Sequence, residues 1–129
     1  MSFAPSTRPL EDRLAIEPGG RLALIGEPAP ALAVWADHAV EHDADVVVVT
    51  CRSVEDVRTL VPAAWAARRP GGWCWVVYRK GDRSFTRTQL GEAVERLGLD
   101  ITWFRQTALD ATWSAIRFRH RSEFRTLSH

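Results

Sequence analysis

Three short stretches of the chain hold residue types that do chemistry. Cys51-Arg52-Ser53 follows a run of valines and precedes a stretch at helical spacing, so the thiol stands beside a cation and a helix start, both of which favour thiolate. Such a group would be a nucleophile, but no histidine is placed to act as its base, and a small packing residue is the preferred reading. His38-Ala39-Val40-Glu41-His42 matches H-x-x-E-H, in which two histidines one helical turn apart can hold zinc. A third protein ligand would still be needed, and His38 and His42 fall on a polar face beside Asp37. A solvated helix face is preferred, and no metal is expected. Leu109-Asp110-Ala111-Thr112-Trp113 puts a carboxylate, a hydroxyl and an indole in one turn, where the acid could accept from a hydroxyl or amine and the ring could stack. Cys51 and Asp110 are therefore the candidate catalytic groups. Cys74, between two tryptophans, reads as structural.

Composition bounds what these groups can belong to. The 129 residues suit a single domain with an ordinary core. Seventeen basic against sixteen acidic residues give a formal charge of +1, which points to neither a nucleic-acid binder nor a membrane-surface protein. The two cysteines make no disulfide framework, and the start of the chain has neither a basic region nor an apolar signal core, so a cytoplasmic location is expected. No apolar run is long enough to span a bilayer.

The elements that must position the candidate residues follow in order. Residues 1–9 read as a flexible leader, 10–121 as one domain and 122–129 as a flexible tail. Leu10 to Ile16 gives two helical turns, ended by Pro18-Gly19-Gly20, and Arg21 to Ile25 is the first strand, broken at Gly26-Glu27-Pro28. A helix is predicted over Ala31 to His42, with Leu32, Trp35, Ala36, Ala39 and Val40 as its apolar face. Val46 to Thr50 is a strand of the kind buried on both faces. Ser53 with Asp56 caps the next helix, in which Pro62 predicts a kink or a fresh start. Trp73 to Tyr78 is the third strand, entered through Pro70-Gly71-Gly72. Thr86 and Gln89 form a capping box for a helix that Gly98 ends, and Ile101 to Ala108 and Trp113 to His120 form an antiparallel hairpin.

The order β-α-β-α-β-α-β-β predicts an α/β fold of three layers, with about five strands that are mostly parallel and a C-terminal antiparallel hairpin. In such sheets ligands sit outside the carboxyl ends of the strands. Those ends carry Gly26, Glu27, Thr50, Cys51, Arg79, Lys80, Asp110, Thr112 and Trp113, so an anionic or nucleotide-like ligand is the chemistry that this edge would suit. Arg117, Arg119 and Arg121 alternate on one face of the last strand and, with Arg125, make a cationic stripe that could meet phosphates. A solvated sheet face is preferred there, given the balanced total charge. Strand one or four, if exposed, could pair across a homodimer.

The strand ending in Asp45-Val46-Val47-Val48, a helix, Pro70-Gly71-Gly72 before an apolar strand, another helix and the final hairpin resemble the second half of class I S-adenosylmethionine-dependent methyltransferases. Closer still is a resemblance to a family of short bacterial proteins known only as a domain of unknown function, which look like truncated folds of that kind. It rests on Pro18-Gly19-Gly20-Arg21-Leu22-Ala23-Leu24, Tyr78-Arg79-Lys80 and Leu109-Asp110-Ala111-Thr112-Trp113-Ser114-Ala115-Ile116-Arg117-Phe118. The resemblance implies a minimal Rossmann-like scaffold. Cofactor binding in those enzymes needs a glycine-rich turn after strand one and an acid after strand two. Here Ile25-Gly26-Glu27-Pro28-Ala29-Pro30 offers one glycine and two prolines, and the unit that would carry the acid is missing. No cofactor is therefore expected, S-adenosylmethionine being the one to test. The sequence thus predicts a non-catalytic or accessory module binding a small ligand or a protein partner at the carboxyl edge. The alternatives are a small transferase, methyltransferase-like or cysteine-dependent, using the same edge, and nucleic-acid binding through the arginine stripe.

Overall fold

Val46 to Val49 set the architecture. In a computed structural model of the chain, which describes residues 9–121, these four side chains alternate between two separate apolar clusters and all are buried. Val47 and Val49 join Val57, Val61, Leu90 and Val94 on one face, while Val46 and Val48 join Leu14, Leu32, Trp75 and Val77 on the other. A strand covered twice needs helices on both sides.

The elements are α1 (Leu10–Arg13), β1 (Leu22–Ile25), a 3-10 helix (Pro30–His38), β2 (Ala44–Thr50), α2 (Val54–Ala67), β3 (Arg68–Arg79), α3 (Arg87–Glu95), β4 (Ile101–Ala108) and β5 (Trp113–His120). They build an α/β fold around one five-stranded sheet in the order β1-β2-β3-β5-β4. The sheet is mixed, which corrects the expectation of a mostly parallel one. β1, β2 and β3 pair in parallel, but β5 lies between β3 and β4 and is antiparallel to both. The hairpin completes the far side of the sheet with its return strand next to β3, and this leaves β4 parallel to β1–β3 with its carboxyl end level with theirs.

Local chemistry explains most boundaries. Ser53 Oγ accepts from Asp56 N at 3.1 Å, and the Thr86–Gln89 box is reciprocal, with bonds of 2.9 and 3.2 Å. Gly98 has φ +71, the left-handed conformation expected after α3. Where Pro70-Gly71-Gly72 enters β3 the register with β2 slips, and a Cβ on Gly72 would stand 2.8 Å from the Ala44 carbonyl oxygen. Asp45 fastens that corner: its carboxylate accepts from Arg21 N at 2.9 Å and from the Arg69 guanidinium, and these bonds hold its pKa below the usual 3.8.

Two helices differ from expectation. The segment predicted as helix over 31–42 is 3-10 and stops at His38, with Ala39 extended at ψ 142. Three residues per turn align Leu32 with Trp35 against the sheet, and Pro30 takes the first helical position, where its missing N–H costs no bond. Pro62 starts no second helix: α2 runs unbroken through it over Val54–Ala67. Its buried face, Val57, Val61, Ala64 and Ala67, continues past the proline, and Arg58, whose carbonyl loses its donor, is exposed. Tertiary packing outweighs the missing bond. The predicted tail and most of the leader lie outside the described residues, as does Arg125. No helix among the described residues is long and apolar enough to cross a membrane.

Trp75 ties the N-terminal segment to this sheet. It is fully buried, and its Nε1 donates to the Leu14 carbonyl at 3.0 Å across 61 residues of sequence. Trp75→Phe removes the donor and part of the ring together. It is expected to lower the unfolding free energy by about 2–4 kcal/mol, read from the midpoint of urea denaturation; an unchanged midpoint would refute this coupling.

Candidate functional site

The carboxyl edge gathers most of the residues that the sequence nominated, and it holds them by engaging their polar groups with each other. Thr50 is buried, and its Oγ1 accepts from Ala29 N at 3.3 Å. Gly26 has φ +76, and a Cβ there would meet Leu60 Cδ1 at 2.9 Å, so this glycine lets the β1 loop pass close over α2. Arg52 donates to the Glu27 carbonyl at 2.8 Å and lies 5.1 Å from the centre of the Trp113 ring. Asp110 Oδ1 accepts from both Thr112 N and Trp113 N at 2.8 Å, closing the β4–β5 turn. Lys80 fastens that turn to the end of β3, its amide donating to the Thr112 carbonyl and its Nζ to the Asp110 carbonyl, each at 2.8 Å.

These bonds decide what the nominated groups can do. Asp110 builds its own turn. Trp113 is buried with Leu109 and Ala115 in the cluster that holds Val46 and Val48, so its ring is a plug more than a platform. Cys51 is fully buried, and burial pushes its thiol up from 9.0 to about 12, the neighbouring Arg52 being the smallest influence on it. The expected thiolate-favouring setting is absent because the side chain points into the core. Cys74, also buried, is pushed up to about 12 by the same cause. His38 and His42 do not stand one α-helical turn apart, since the helix ends between them, and His42 ND1 lies 3.5 Å from the Asp43 carboxylate. No group of three or more metal-ligating side chains occurs among the described residues.

Arg79 has a different setting. With Lys80, Arg83 and Arg87 it rims an open groove of about 520 Å³ beyond the end of β3, walled also by Tyr78, Gly81, Asp82 and Phe85. Gly81 takes φ +75 at the turn, and Asp82 is held below the usual carboxylate range, chiefly by the Ser84 hydroxyl, so it stays ionised among the cations.

Beside the groove lies a polar network that the sequence reading did not single out. Tyr78 and Ser114 are register partners across β3 and β5, and Gln106 Nε2 donates to the Tyr78 hydroxyl at 2.9 Å and to Ser114 Oγ at 3.1 Å. Gln106 Oε1 accepts from Arg87 at 2.8 Å, and Ser114 Oγ donates to the Thr107 carbonyl at 3.1 Å. Tyr78 and Ser114 are buried, so the network fixes its members. The tyrosine hydroxyl accepts within it. A polar side chain on the same face of three adjacent strands was the available signal. The arginine stripe is also partly internal, with Arg117 buried against the Trp73 ring. No protein-family model matches the chain, and no curated protein matches it.

The thiol shifts carry a pH consequence. A thiol that ionises less readily folded than unfolded contributes stability that is complete below pH 9 and is lost as the pH rises towards 12. Urea midpoints are therefore expected to be insensitive to the two thiols below pH 8 and to fall more steeply above pH 9 in the wild type than in a Cys51→Ala, Cys74→Ala double variant. Identical alkaline profiles would contradict the burial of these thiols.

Proposed function

We propose that this chain is a non-catalytic binding module on a Rossmann-like, methyltransferase-like scaffold, which takes an anionic small molecule or an anionic group of a protein partner at the carboxyl edge of its sheet. The observation that carries this reading is the contrast along that edge. Thr50, Cys51, Asp110 and Trp113 are closed in by burial or by bonds to neighbouring loops, and Lys80 is fastened to the Asp110 turn, whereas Arg79, Arg83 and Arg87 rim an open groove. Cations on the rim of an open groove suit a phosphate or carboxylate that is held but not transformed. Helical cover on both faces of the sheet and a β4 turn at the same edge as the β1–β3 ends support the scaffold reading. The two buried, unpaired cysteines suit a reducing cytoplasm.

The transferase alternative loses ground on the same facts. Its two chemical groups would be a thiol held protonated and a carboxylate that closes its own turn. The nucleic-acid alternative is weakened by Arg117, which packs inside the protein.

Thermal-shift measurements against inorganic phosphate, adenine nucleotides, acyl thioesters and S-adenosylmethionine test the proposal. Stabilisation is expected with phosphate-bearing compounds. Each decade of ligand above its dissociation constant adds about 1.4 kcal/mol. It should be lost in an Arg79→Glu, Arg83→Glu double variant and kept in Cys51→Ala and Asp110→Asn. Turnover that disappears in either of the last two variants would establish the transferase instead, and salt-dependent retention on DNA lost in Arg119→Glu would establish nucleic-acid binding.

A further inference from the structure

A second surface lies on the face that carries α2 and α3, sharing Arg87 with the basic rim. Trp103 is 57% exposed, one of two large apolar side chains so exposed among the described residues. It stands on β4, which pairs only with β5 among the described strands and so offers a free edge. Beside it runs a groove of about 320 Å³ between α3 and β4, floored by Ile101, Val94, Ile116 and Phe118. The outer wall is the α3 face formed by Arg87, Thr88, Gly91, Glu92 and Glu95.

The arrangement along that wall is what identifies an occupant. α3 spans Arg87–Glu95, so Gly91 is its midpoint, and a Cβ on Gly91 would meet nothing within 4 Å. Four residues of helix place Gly91 about 6 Å above Glu95. Two residues of strand place Trp103 about 6–7 Å above Ile101, which follows the turn out of α3. The indole and the side-chain-free midpoint of the helix line the same groove. Arg87 stands one turn to one side of that midpoint and Glu95 one turn to the other, with Glu92 next to it.

We propose that this surface is a two-fold interface with a second copy of the chain, its axis at right angles to α3 and passing outside the helix beside Gly91. A two-fold axis reverses the direction of the second α3. Each Arg87 then faces the acidic end of the partner helix, the two Gly91 midpoints lie against each other, and the indoles flank the contact. A self-complementary order of charge about a central glycine fits an isologous contact, in which one patch meets its own image. The register of β4 slips between Trp103 and Arg105. The bulge divides the free edge, so the helices and indoles carry the contact, with no continuous strand ladder across it. Arg87 and Glu95 currently hold Gln106 and Arg121, at 2.8 and 3.7 Å, and these exposed bonds exchange for intermolecular ones at little cost.

Sedimentation velocity over a concentration series tests this, together with a covalent trap. A dimer is expected, and Trp103→Glu should raise its dissociation constant by about thirtyfold or more. Arg87→Glu should weaken the dimer, and adding Glu95→Arg to it should restore it. Because Cys51 and Cys74 are buried, Gly91→Cys introduces the exposed thiol, and mild oxidation should link it to its own counterpart as a dimer on non-reducing gels. Wild-type protein that stays monomeric at every concentration, or a dimer unaffected by Trp103→Glu and by charge reversal, would overturn the proposal. So would Gly91→Cys that folds and yet does not cross-link. A monomer that instead captures a different protein through Trp103 would likewise assign the surface to another partner.

Discussion

The double burial of β2 is the constraint on which everything else depends. Val46, Val47, Val48 and Val49 have no water-facing side, so the sheet must be covered twice by separate pieces of chain. α2 and α3 do this on one face with long, well-capped helices. α1 and the 3-10 helix do it on the other with shorter pieces, and Trp75 makes up the difference in volume and supplies a hydrogen bond to the end of α1. Fully burying one such valine is worth about 1.5–3 kcal/mol, which is more than any single surface ion pair in this molecule provides.

The same constraint explains why the carboxyl edge is mostly closed. β1, β2 and β3 end side by side with both faces covered, so the loops leaving them must satisfy backbone amides within a small space. Thr50, Arg52, Lys80 and Asp110 meet that demand. The residue types that suggested chemistry are the same ones that turns and loop closures require. Only the segment after β3, which leaves the sheet before α3 begins, keeps its cations around open space.

Much of this was legible in the sequence, for reasons that are local. The valine run, the Thr86–Gln89 box and the hairpin at 101–120 are written in periodicity and caps, and each lies where its residues place it. Long-range competition decided the rest. The 3-10 geometry at Pro30–His38 reflects how Leu32 and Trp35 fit the sheet, and α2 survives Pro62 because its apolar face is already docked. Insertion of β5 between β3 and β4 is a pairing choice that no single segment encodes. At the edge, the residues were found but not their engagements. Gln106 was hidden for the opposite reason: a polar residue in a strand carries no pattern until the neighbours across the sheet are known.

Arg87 joins the two surfaces. It belongs to the rim of the groove after β3 and to the wall of the groove beside Trp103, and in the isolated chain its guanidinium bonds to Gln106, which in turn holds Tyr78 and Ser114. One guanidinium cannot serve an anion at the rim and a carboxylate of a second copy at full strength together. Binding at either place therefore acts on the other through one side chain, and reciprocity requires the effect to be equal in both directions. The sign follows from competition: an anion that recruits Arg87 weakens the two-fold contact. The Gln106 network sets its size, since an amide that keeps Tyr78 and Ser114 in place after Arg87 departs leaves the rim intact, and only the charge is then redistributed.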